Sequence, residues 1–273
     1  MGHMLSGKNL GLITNRQVNG IFHHVFCSNL ITNDCTISTA TKERSYLFPL
    51  YLYPSAITDL FERKAAGNRR PNLSSEFIAD FSARLQLDFV LDGCGDLKKT
   101  FGPEDVFHYA YAVFYSPTYR SRYAEFLKRD FPRLPLTRDV ALFRTLCALG
   151  SELVALHLME SPPSPKAGKD ANEVRFPVAG DNRVENVRYS EPSDDVPGRA
   201  WINPTQYFDK VPPEVWGYHV GGYQVCQKWL KDRNGRQLSY DDLTHYQGIV
   251  AALARTIALQ TEIDDAIVDG PIQ

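Results

Sequence analysis

Apolar residues recur at helical spacing in several stretches of the chain. Phe77, Phe81 and Leu85 stand four apart behind Ser74, which predicts a capped helix. Gly102-Pro103-Glu104-Asp105 predicts a second helix start, with proline pre-set at the first position and acids complementing the dipole. Phe107, Ala110, Val113 and Phe114 supply its apolar stripe, and Ser116-Pro117 ends it and opens another helix carrying Tyr119, Tyr123, Phe126 and Leu127. A longer helix, about 138–159, places Leu142, Leu146, Leu149, Leu153 and Leu156 on one broad face, with His157 near its C-terminus. Ser239-Tyr240-Asp241-Asp242 is a capping arrangement for a last helix to about 263, striped by Leu243, Tyr246, Val250, Leu253 and Ile257.

Elsewhere the pattern is that of short strands. Gly11-Leu12-Ile13 and 21–27 flank a polar turn, and Tyr46-Leu47-Phe48-Pro49-Leu50-Tyr51-Leu52-Tyr53-Pro54 is an aromatic run whose Pro49 confines it to a sheet edge or bulge. Between them, 29–45 is polar and predicts a hairpin with Lys42 and Arg44 at its tip. Val174-Arg175-Phe176-Pro177-Val178, 184–189 and Arg199-Ala200-Trp201-Ile202 are strand candidates separated by polar turns. The fold class is α+β, with mixed strand segments, a central helical region and a C-terminal helix. Ser161-Pro162-Pro163-Ser164-Pro165 is the clearest break, so two lobes, 5–160 and 173–273, joined by a loop at 161–172, are one organisation and a single domain with a surface loop is the other. Met1-Gly2-His3-Met4 reads as a cloning remnant, with the domain proper at 5–273.

Composition narrows the function classes. With 43% hydrophobic and 23% charged residues, the 273-residue chain is that of an ordinary globular protein. A net charge of -2 means that any nucleic-acid binding rests on local basic patches. No apolar run approaches membrane-spanning length, and no secretory signal precedes the body; a cytoplasmic protein without membrane contact is expected. The five cysteines are scattered and form no Cys-x-x-Cys; His23, His24, Cys27 and Cys35 match no common zinc spacing, so no metal site is expected. Asn203-Pro204-Thr205-Gln206-Tyr207 is superficially like the Asn-Pro-Pro-Tyr motif of adenine methyltransferases, but two residues intervene before the aromatic and no glycine-rich nucleotide loop accompanies it; it reads as a turn. His23, His24, His108 and His157 adjoin no recognisable nucleophile motif, so no catalytic residue is assigned.

The densest candidate chemistry is Gly221-Gly222-Tyr223-Gln224 followed by Lys228, Trp229, Lys231, Arg233 and Arg236. A helix over about 223–233 opening on the two glycines would offer free N–H groups to a phosphate, with Lys228 and Lys231 on one face and Gln224 near a base edge. The same residues also describe a structural helix packed by Trp229 with solvated lysines. Two more basic patches are Arg63, Lys64, Arg69 and Arg70, and Arg120 and Arg122 with Lys128, Arg129 and Arg133.

Several pieces, taken in order, resemble one known family. They are Phe48-Pro49-Leu50-Tyr51-Leu52-Tyr53-Pro54, Tyr109-Ala110-Tyr111-Ala112-Val113 with Ser116-Pro117 and Tyr119-Arg120, Phe131-Pro132-Arg133-Leu134-Pro135-Leu136, and Gly221-Gly222-Tyr223-Gln224 through Trp229-Leu230-Lys231-Asp232-Arg233. The set is similar to the C-terminal target-recognition domain of single-polypeptide (type ISP) restriction–modification enzymes, and of related fused N6-adenine methyltransferases. That resemblance implies a domain that reads double-stranded DNA and directs an attached methyltransferase of the same polypeptide. S-adenosylmethionine, ATP and Mg are then expected only in the parent's other domains, with no cofactor in this chain. Gly102 departs from the Thr or Ser cap expected there. The rival reading is a protein-interaction domain whose basic patches are merely solvated.

Overall fold

The computed structural model describes residues 2–22, 25–37, 43–54, 69–160 and 173–269. His23, His24, Lys42, Arg63, Lys64 and the loop 161–172 lie outside them. The chain forms two compact units, one of Met1–Leu158 with Leu259–Gln273, the other of Met159–Ala258.

In the first unit a short helix, α1 (Gly2–Leu5), precedes a three-stranded antiparallel sheet of β1 (Gly11–Asn15), β2 (Phe26–Ser28) and β3 (Ser45–Pro49), ordered β2-β1-β3. The first residues are not loose: Met4 is buried, and His3 Nδ1 accepts the Tyr53 N–H at 3.0 Å. Pro49 ends the edge strand β3, where its missing N–H costs no ladder bond. Of the strand expected over 21–27, Phe26 and Cys27 join β2; the Val25 carbonyl just before them accepts from the Tyr115 hydroxyl at 2.9 Å. β4 (Tyr51–Leu52) pairs with β5 (Arg70–Pro71), and β6 (Asp88–Phe89) with β7 (Thr100–Phe101).

The helices follow the apolar pattern closely. Ser74 Oγ accepts the Phe77 N–H and caps α2 (Ser75–Leu85). α3 (Pro103–Tyr115) starts at the expected proline, and nearly every side chain on it is buried. Gly102 caps it without a hydroxyl because a Cβ there would collide with the Gly93 carbonyl; Asp105 Oδ2 does the capping instead, accepting Gly102 N–H at 2.8 Å and Gly95 N–H at 2.6 Å. After Ser116 the expected single helix is two short ones, α4 (Pro117–Arg122) and α5 (Ala124–Leu127).

α6 (Val140–His157), capped by Asp139, packs along α3 and buries Leu142, Leu146, Leu153 and Leu156. By length and composition it would suffice to cross a membrane, contrary to the sequence expectation that no run approaches that length. Its apolar face is the core of this unit. Gly150 permits the close approach of the two helices, since a Cβ there would strike the His108 carbonyl.

The second unit contains an antiparallel sheet of β8 (Arg188–Ser190), β9 (Arg199–Trp201) and β10 (Tyr207–Asp209), ordered β10-β9-β8. Of the strand expected over 174–178 only an Arg175–Asp209 bridge forms, and 184–187 is irregular because Glu185 and Asn186 both donate to the Ile202 carbonyl. Asn203-Pro204-Thr205-Gln206 is the expected turn, closed by Asn203 Oδ1 accepting the Thr205 and Gln206 N–H groups. α7 (Pro213–Trp216), β11 (His219–Val220), β12 (Tyr223–Gln224) and α8 (Val225–Lys231) follow. Ser239 and Asp242 cap α9 (Tyr240–Asp269) reciprocally. α9 begins in the second unit and ends in the first, where Asp264 accepts from Thr118 N–H and Oγ and Gln260 donates to the Tyr115 carbonyl.

Candidate nucleic-acid interface

The opening glycines have a different task from the one expected. His219 pairs with Gln224 and Val220 with Tyr223, so Gly221-Gly222 is a two-residue hairpin turn, and Gly221 takes the left-handed conformation (φ 57°) that such turns require. α8 starts only at Val225. The glycines therefore do not border its first N–H groups, and the expected anion site at a helix over 223–233 is corrected on this point. Gln224 donates through Nε2 to the Trp216 carbonyl at 2.7 Å, so half of its amide is spent on holding the hairpin to α7.

The basic residues beyond it divide by environment. Lys228 is exposed and bonds to Asp232 at 2.8 Å, 5.4 Å from the Tyr223 ring centre. Lys231 is exposed and donates to Gln227 at 2.9 Å. The Arg233 guanidinium carbon lies over the Trp229 ring, 3.5 Å from its centre, with Nε 3.7 Å from Asp242. Ser239, through its N–H and hydroxyl, and then the charges of Arg233 and Arg236 hold the Asp242 carboxyl below the usual range. Arg236 is exposed, and Arg183 joins it: Arg183 bonds to the Gly235 carbonyl at 3.2 Å and bridges to Gln237. Arg183 escaped sequence reasoning because it stands alone in its own stretch.

In the first unit Arg69 is structural. It donates to Asp92 and to the Lys8 carbonyl and covers the Tyr51 ring at 3.7 Å. Against burial that would raise it, Arg69 holds the Asp92 carboxyl below its ordinary value. Arg70, on β5, is exposed. Arg120 donates to the Tyr115 carbonyl at 3.0 Å and so finishes α3, while Arg122, two residues on, is exposed. Arg133 stacks on Phe126 at 4.7 Å. Arg63 and Lys64 lie outside the described residues. Screened, exposed cations of this kind suit phosphates, and flat, held guanidinium groups suit bidentate contacts.

Cys94, Asp105 and His108 bring three metal-ligand types within 4.8 Å. Cys94 is exposed, and Asp105 is already engaged as the α3 cap.

Known proteins place this fold. The family model described as the Type ISP C-terminal specificity domain matches residues 1–262. Among solved structures, the chain is similar to the ATP-dependent Type ISP restriction-modification enzyme LlaBIII bound to DNA, at 18% identity and TM-score 0.63, over 98% of this chain and 16% of that one. A nuclease-deletion mutant of the Type ISP enzyme LlaGI with a DNA substrate mimic matches at 19% and 0.60, over 94% and 21%. The DrdV–DNA complex matches at 20% and 0.59, over 98% and 25%. The chain thus spans a quarter or less of these larger proteins. No curated protein matches it. With the family model matched along almost its whole length, this chain belongs to the Type ISP C-terminal specificity domains.

Proposed function

We propose that this chain reads a double-stranded DNA sequence for a restriction–modification enzyme and directs an attached N6-adenine methyltransferase to it. The family match across 1–262 carries the reading. The solved relatives, which are DNA complexes, support it. The exposed cations Lys231, Arg236, Arg183, Arg70 and Arg122 supply the phosphate contacts such a domain needs. In this reading S-adenosylmethionine, ATP and Mg are held by other parts of a cytoplasmic parent enzyme.

Two measurements on the chain test it. Selection from a random duplex library should enrich one short sequence; enrichment of none, with salt-insensitive binding to a protein partner instead, would favour a docking domain. Calorimetry with S-adenosylmethionine and with ATP should show no binding, and micromolar affinity for either would contradict the assignment of catalysis elsewhere.

A further inference from the structure

Strand alternation in β8–β10 sends Ala200 and Phe208 into the core of the second unit, with Tyr189 packed against it. The opposite face carries Arg188, Trp201 and Tyr207 in one rung and Ser190, Arg199 and Asp209 in the next. Trp201 is fixed by indole N–H donation to Ser190 Oγ at 2.7 Å, and its ring centre lies 4.6 Å from that of Tyr207. A guanidinium covers each ring: Arg188 over Trp201 at 4.2 Å, Arg199 over Tyr207 at 4.4 Å.

The two arginines differ in what else they meet. Arg199 is half-buried and bonded to Asp209 at 2.9 Å, so its charge is spent. Arg188 is exposed and has no carboxylate partner among the described residues. The acidic turn with Glu191, Asp194 and Asp195 lies beyond the Ser190 end of β8, past the rung that holds Arg188. Stacking on an indole holds a guanidinium flat with its N–H edges free, which lowers the entropy cost of a bidentate contact. The group that such a fork matches in the major groove is guanine, through O6 and N7; that groove admits a two-stranded β-ribbon, and Arg188 stands on β8, the edge strand of this sheet, paired with β9.

We propose that this sheet face contacts DNA and that Arg188 reads a guanine there, with Trp201 as its positioning residue. The proposal rests on the DNA-reading function above. Its partner is double-stranded DNA because the face offers an uncompensated, pre-oriented cation rather than an apolar patch.

The full chain selects its preferred duplex from a random library, and anisotropy then compares that duplex with a scrambled one for wild type, Arg188→Ala and Arg188→Lys. Thermal melts confirm that both variants are folded. Arg188→Ala should lose about ten- to hundredfold affinity on the selected duplex and almost none on the scrambled one. Arg188→Lys keeps the charge and the ring contact but not the fork, and should lose most of the same preference. Equal weakening on both duplexes, with the salt slope lower by about one, would make Arg188 a phosphate clamp and overturn its reading role. Unchanged binding would reduce the rung to a cross-strand stabilising contact. If wild type selects no sequence, the DNA-reading function falls and this proposal with it; if wild type selects one and Arg188→Ala keeps it, only this proposal falls.

Discussion

At the scale of single residues, the anchoring of α8 differs from the expectation that Trp229 is its buried core residue. Trp229 is half-buried, between the Arg233 guanidinium and Tyr246, whose ring centre is 5.2 Å away. Cys226 and Leu230 are the fully enclosed residues of that helix. Leu230→Ala should therefore cost about 2–5 kcal/mol and Trp229→Ala about 1–3 kcal/mol, read as urea midpoints at unchanged slope. A larger loss at Trp229 than at Leu230 would contradict this packing. Spacing showed that both belong to a helix; it does not show that an arginine four residues on covers the indole and leaves it at the surface.

His157 closes the C-terminal end of α6, as its position suggested, and is half-buried there among aromatic rings. Its ring lies 5.0 Å from Tyr115 and 5.6 Å from Tyr111, and the Tyr111 hydroxyl is 2.7 Å from Nδ1. Burial pushes its pKa down to about 4. The unfolded chain takes up a proton near pH 6.5 and the folded one does not until near pH 4, so this stabilisation is complete above 6.5 and is lost as pH falls through that window. Wild type should lose about 2 kcal/mol more than His157→Gln between pH 7 and pH 5. Parallel pH profiles for the two proteins would mean that the ring stays accessible to protons.

At the scale of elements, the helices were legible and the strands only partly so. Caps at Ser74, Ser116 and Ser239 and the proline at 103 announce helix starts through local chemistry, and all four starts occur there. The strand over 184–189 forms only in part, as β8, for a non-local reason: the Glu185 and Asn186 amides are drawn to the Ile202 carbonyl, and just before β2 the Tyr115 hydroxyl likewise takes the Val25 carbonyl. The same holds for Gly102 and Gly150, whose necessity lies in carbonyls, of Gly93 and His108, that approach from elsewhere in the chain. Gly150→Ala should cost about 1–3 kcal/mol by forcing α3 and α6 apart. A melting temperature equal to wild type would show that the two helices have room to give. Gly221-Gly222 was conspicuous in the sequence, yet its hairpin role depends on the pairing of His219 with Gln224, which residue types alone do not reveal.

At the scale of the whole molecule, the ordered set of motifs carried the family, whereas no single patch carried the interface. The basic residues singled out from sequence fall into both units. Arg69, Arg120 and Arg233 are absorbed into structural contacts, and Arg70, Arg122, Lys231 and Arg236 remain at the surface. Charge runs along a sequence do not distinguish these fates, because a guanidinium is equally suited to a ring, a helix end or a phosphate. The central claim is sequence-selective DNA binding, and salt-dependent anisotropy of the chain on its library-selected duplex and on a scrambled one measures it directly. The expected result is a preference for the selected duplex that persists as salt rises, with Lys231→Ala weakening both duplexes alike and lowering the salt slope by about one. Equal affinity for the two duplexes at every salt concentration, or no binding to either, would contradict it.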